Sequence, residues 1–169
     1  MKKLFLIPFF CFLFFGCVST DTDDKFVQSY NEVLGVQSVK HKDLEPGMIY
    51  NLRDSITGER AHLMFQQRNG KPVITLIYQS SKWAFFDYAV FLADGERLEV
   101  PFESRTSNVI GPFMLAEVFS GFIAPEAVEK LKTMLASDSC SVAFVGDKVS
   151  DKMPIKPKVR TALLEVLAL

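Results

Sequence analysis

Hydrophobic and polar residues change rhythm several times along the chain. Leu4–Phe15 is an almost unbroken apolar run, and Val18–Asp24 behind it is polar. From Phe26 the apolar positions recur at i, i+1, i+4, i+7 and i+8 (Phe26, Val27, Tyr30, Val33, Leu34), which predicts a short helix. Asp23 or Asp24 can cap its start and Gly35 can end it. Between Met48 and Phe102 the apolar residues alternate with polar ones, and turn residues punctuate them. Strands are expected at Met48–Leu52 after Pro46-Gly47, at Arg60–Gln67 after Thr57-Gly58, and at Pro72–Gln79, Lys82–Ala93 and Arg97–Phe102. Asn69-Gly70 and Asp94-Gly95 each read as a two-residue hairpin turn, because both central residues of a type I′ turn need positive φ.

Further on, Ser104–Gly111 is polar and turn-rich and reads as a connection. Phe113–Phe119 fits a strand or a short helix, and a strand is the preferred reading. Pro125 opens a helix to about Ala136, with Ala127, Val128, Leu131, Met134 and Leu135 on one stripe. Cys140–Val145 is a short strand, a charged loop with Pro154 follows, and Pro157 suits the first turn of a closing helix. The expected fold is therefore α+β: an antiparallel meander sheet with helices packed on one face.

The N-terminal run covers 12 residues from Leu4 to Phe15, roughly 18 Å as a helix and well short of the ~30 Å hydrocarbon core of a bilayer. Two lysines, a short apolar run and a small residue make the three-part layout of a secretory signal rather than a membrane span. Phe14-Phe15-Gly16-Cys17 then resembles the lipobox of bacterial lipoproteins. Two Phe stand where that motif commonly has Leu and a small residue, with Leu13 one place further out. This relaxed form is similar to the lipoboxes of spirochaetes. The resemblance implies cleavage before Cys17 and a lipid anchor, palmitate included, on that cysteine. It favours the outer membrane over the inner, since Val18 is not the Asp that retains enteric lipoproteins at the inner one. Ordinary signal cleavage, with Cys17 and Ser19 as the small residues before the cut, is the alternative. On the lipoprotein reading, residues 1–16 are the signal peptide, 17–24 a polar tether and 25–169 a single domain.

Composition narrows the partners. Without the signal the chain carries 17 basic and 20 acidic residues, a net charge near −3, with no basic block. Nucleic acid is not expected as a partner, and neither is a polybasic membrane contact. Of three cysteines, Cys11 leaves with the signal and Cys17 takes lipid, so Cys140 has no disulfide partner. Ten phenylalanines remain to build a core.

No nucleophile elbow, zinc-protease helix, phosphate loop or dinucleotide fingerprint is present. Asp21, Asp23 and Asp24 lack the glycine and distal Glu of a calcium loop and belong to the tether. No cofactor or metal is called for. His41 and His62 are expected at the surface, and Cys140 as a small buried hydrophobe. Asp87 draws the eye. Strand alternation puts Trp83, Phe85, Ala89 and Phe91 on its side of Lys82–Ala93 and Phe86, Tyr88, Val90 and Leu92 on the other. A carboxylate in so apolar a strand must be paired or protonated. An ion pair with Arg53, Arg60 or Arg105, or an edge open to water, accounts for it structurally. The functional reading makes Trp83 and Asp87 ligand-binding residues. Two functions are in play: a non-catalytic envelope lipoprotein that binds a protein, cell-wall or lipid component, and a small hydrolase-like enzyme using Asp87 with a histidine. The missing motifs weigh against the enzyme.

Overall fold

The two hairpin turns form as expected. Asn69 and Gly70 have φ of 50° and 71°, Asp94 and Gly95 of 51° and 82°. The hairpins they close lie in different sheets, so the chain is not one meander. A computed structural model describes residues 24–44, 51–53, 60–111 and 114–169. Cys17 and nearly all of the tether fall outside the described residues, as does most of the strand expected at Met48–Leu52.

The larger sheet is built from β1 (Phe26–Asn31), β2 (Val36–His41), β3 (Leu52–Arg53), β4 (Arg60–Arg68), β5 (Lys71–Ser80), β8 (Ser104–Gly111) and β9 (Met114–Phe122). Its order is β1-β2-β4-β5-β9-β8, with β3 beside β4. The smaller runs β11-β10-β6-β7, from β6 (Phe86–Ala93), β7 (Glu96–Pro101), β10 (Ser141–Gly146) and β11 (Met153–Pro154). Every pairing is antiparallel. With two helices, α1 (Pro125–Ala136) and α2 (Pro157–Leu167), the class is α+β, mostly β.

Aromatic rings join the sheets. Phe65 of β4 meets Phe91 of β6 at 6.2 Å, Tyr78 of β5 meets Phe86 at 4.8 Å, and Phe86 also meets Phe119 of β9 at 5.4 Å. Each such side chain contributes about 1.5–3 kcal/mol by leaving water. The helices complete the same core with Leu131, Met134 and Leu135 of α1 and Val159, Leu163 and Val166 of α2. Gln67 Nε2 donates to Val166 O at 2.9 Å, tying α2 to β4, while α1 borders β6 and β7 through the Lys130–Glu96 pair at 2.8 Å. Among the described residues no helix is long and apolar enough to cross a membrane.

Three expectations fail for identifiable reasons. The helix expected over Phe26–Leu34 is instead β1 and the turn into β2. Nine residues make a marginal helix alone, whereas β2 can pair with both β1 and β4. Gly35, read as a helix stop, takes φ of 61° in that turn, and Asn31 Oδ1 accepts from Leu34 N at 3.1 Å. Ser104–Gly111 is a strand, for a polar segment pairs readily at a sheet edge where no face is buried. The strand expected from Lys82 begins only at Phe86, because residues 81–85 cross from one sheet to the other.

Candidate functional site

The crossover itself carries the most exposed aromatic surface near the predicted site. Ser80 Oγ donates to Lys82 O and turns the chain out of β5. Glu117 of β9, 1 % exposed, reaches beneath the crossover: Oε2 accepts from Ala84 N at 2.6 Å and Oε1 from Phe85 N at 3.3 Å. From the other side Lys148 N donates to Ala84 O at 3.2 Å and Asp147 N to Phe85 O at 3.3 Å. Gly146 permits this approach, since a Cβ there would lie 2.0 Å from Phe85 O. Held from both sides, Phe85 takes φ of 48°, a left-handed conformation costly for a side chain of its size.

The result is a fixed platform. The Trp83 and Phe85 rings stack at 6.1 Å with 25° between their planes, and the Arg105 guanidinium carbon lies 4.4 Å from the Phe85 centroid. Trp83 remains 37 % exposed. Beyond it, Val109 of β8 and Met114 of β9 are exposed too. Stacked cation and rings of this kind contribute about 0.5–1 kcal/mol at an exposed site. Tryptophan and arginine are also the residue types that carry most binding energy at protein surfaces.

Asp87 is not where strand alternation put it. Val145 of β10 pairs with Tyr88 and Gly146 with Phe86, so Asp87 is the extra residue of a β-bulge. The bulge turns Phe86 into the core and leaves the Asp87 side chain exposed, with no ion pair or hydrogen bond among the described residues. Its carbonyl accepts from Phe102 N at 2.7 Å. Trp83 precedes the strand altogether. Trp83 thus belongs to the platform while Asp87 lies just past it at the start of β6, and neither is buried.

Both histidines are buried, against expectation. His41 Nδ1 accepts from Asp43 N at 3.1 Å, so Nε2 carries the proton and donates to Glu165 Oε2 at 2.8 Å. Lys25 completes that cluster at 2.8 Å and holds the Glu165 carboxyl below its usual range. His62 Nε2 donates to Leu44 O at 2.8 Å, leaving a buried Nδ1 without a partner. Neither ring bonds to Asp87. Cys140 is buried, and that burial pushes its thiol up to about 11, despite the nearby Arg160. Among the described residues no three His, Cys, Asp or Glu side chains could hold a metal ion.

A groove of about 670 Å³ lies at the opposite end of the molecule, floored by Phe122, Val128 and Leu167 and rimmed by Lys71, Glu103 and Glu129. No histidine or cysteine lines it. Sequence reasoning passed over Glu117, although its signal was that of Asp87: one carboxylate among apolar strand residues. Arg105 and Gly146 gave no local sign, because their roles lie in contacts with Phe85. The chain matches no family model, no curated protein and no solved structure.

Proposed function

We propose that the protein is a lipid-anchored, non-catalytic module of a bacterial envelope, held at the outer membrane through Cys17, which binds its ligand with the Trp83–Phe85–Arg105 platform. The observation carrying this reading is the rigid support of that platform. A buried carboxylate and a glycine-permitted contact hold the backbone of Ala84 and Phe85 next to an exposed tryptophan that stacks on Phe85, an arrangement suited to recognition. The engagement of both histidines supports the non-catalytic half, since His41 uses both ring nitrogens and His62 spends its proton on a backbone carbonyl. The helix pair, as a cover on one face of the strand framework, is scaffold in this reading.

Two experiments test the halves separately. Replacing Cys17 with Ser should abolish palmitate labelling and leave the precursor uncut; continued labelling overturns the anchor. A photo-crosslinking residue at position 83 should trap a molecule in intact cells, where one at exposed position 33, at the far end of the sheet, does not. Equal trapping at positions 83 and 33, or none at 83, overturns the platform as a binding surface.

A further inference from the structure

Strand register gathers residues at the platform end that lie far apart in the chain. Arg60 opens β4 opposite Gln79, Lys82 follows the end of β5, and Arg105 of β8 stacks on Phe85. All three cations are exposed and have no carboxylate partner among the described residues. Trp83, Val109 (61 % exposed) and Met114 (44 % exposed) lie at the same end, where Leu115 of β9 pairs with Ser80. Among the described residues, Asp87 and Asp147 are the exposed acidic residues beside them. An apolar patch with aromatic and cationic side chains around it matches an anionic lipid surface, with tryptophan at headgroup level.

The direction of β1 selects this end, and the length of the tether reaches it. β1 runs from Phe26, paired with His41, toward the Glu32–Gly35 turn at the far end, so the chain enters β1 from the Arg60 side. Lys40 pairs with Gln66, which sets Phe26 about level with Phe65. Five residues of β4 then separate that level from Arg60, about 17 Å. The eight tether residues can span up to about 26–29 Å. The far end also exposes Val33, Leu34 and Phe122, the last with Lys71 over its ring at 5.9 Å, but three carboxylates, Glu32, Glu103 and Glu129, accompany that one cation and the chain enters β1 from the other end.

We infer that the domain rests on the bilayer holding its own lipid, with Trp83, Val109 and Met114 at the interface and Arg60, Lys82 and Arg105 on anionic headgroups. This rests on the Cys17 anchor and names the ligand of the platform.

Trp83 is the sole tryptophan in the chain and reports on the contact without a label. The lipidated protein would be reconstituted in vesicles of phosphatidylcholine and phosphatidylglycerol containing brominated lipid. Flotation of the vesicles reads the anchor, and Trp83 emission reads the contact. The expected result is emission quenched about twofold or more, with quenching relieved by Lys82→Glu plus Arg105→Glu, since each cation near such a surface counts for about a fivefold preference at low salt. The pair Trp83→Phe, Val33→Trp moves the reporter to the far end and should float unquenched. Protein that floats with Trp83 unquenched, or quenched only with the reporter at 33, overturns the inference and leaves the anchor standing. Protein that does not float overturns both.

Discussion

Glu117 offers the sharpest test of how the platform is held. Glu117→Leu keeps the buried volume close to that of the native side chain and removes both acceptors. The N–H of Ala84, bonded at 2.6 Å, and that of Phe85, bonded at 3.3 Å, then lose their partners. An orphaned buried donor costs about 1–3 kcal/mol. The short bond to the fully enclosed Ala84 belongs near the top of that range and the long one near the bottom, giving about 3 kcal/mol together. One effect opposes this, since deleting a carboxylate also removes the cost of burying it. Glu117→Gln separates the two. It loses the same carboxylate yet keeps an oxygen for Ala84 N, so the desolvation gain cancels from the difference between the variants. Leu should therefore be less stable than Gln by about 2 kcal/mol, or roughly 4–8 °C in Tm for a domain of this size. Urea unfolding followed by circular dichroism measures that difference. Acrylamide quenching of Trp83 should rise in the Leu variant alone, as the crossover loosens. Equal stability of Leu and Gln would refute the claim that the Ala84 N–H depends on Glu117.

Three further substitutions probe the frame and the thiol. Gly146→Ala places a Cβ 2.0 Å from Phe85 O, a backbone atom that cannot swing aside; thermal unfolding should show a loss of about 1–3 kcal/mol, with Trp83 emission altered. Phe91→Ala removes the ring that meets Phe65 across the sheets at 6.2 Å, and should cost about 3–5 kcal/mol by urea titration. Burial raises the Cys140 thiol from 9.0 to about 11, so the folded state holds that proton more tightly than the unfolded chain does. Its contribution is full below about pH 9 and falls as pH rises toward about 11, and a Cys140→Ala variant should show a shallower alkaline loss than the native protein.

Local chemistry explains which parts of the fold were legible. Asn69-Gly70 and Asp94-Gly95 announce their turns through backbone angles few other residues tolerate. Pro125 and Pro157 open helices because proline suits a first turn. The division into two sheets had no such sign, for it depends on residues 81–85 being held by Glu117 and by the backbone around Gly146, both distant in sequence. Asp87 and Glu117 make the limit plain. Each is one carboxylate in an apolar strand, and alternation along the strand treats them alike. One is exposed and the other buried because β10 counts one residue where β6 counts two. That mismatch exists only between strands, so no pattern within a strand contains it. The same reasoning bears on charge. Arg60, Lys82 and Arg105 are separated by more than twenty residues each, and the sequence correctly shows no basic block. Register puts Arg60 and the end of β5 before Lys82 at one end of the sheet, and Arg105, opposite Phe119 and so level with Leu76, reaches them from further in through its contact with Phe85. The absence of a basic run therefore excludes a polybasic tail, while a polybasic face is a property of the pairing and is left untouched by that count.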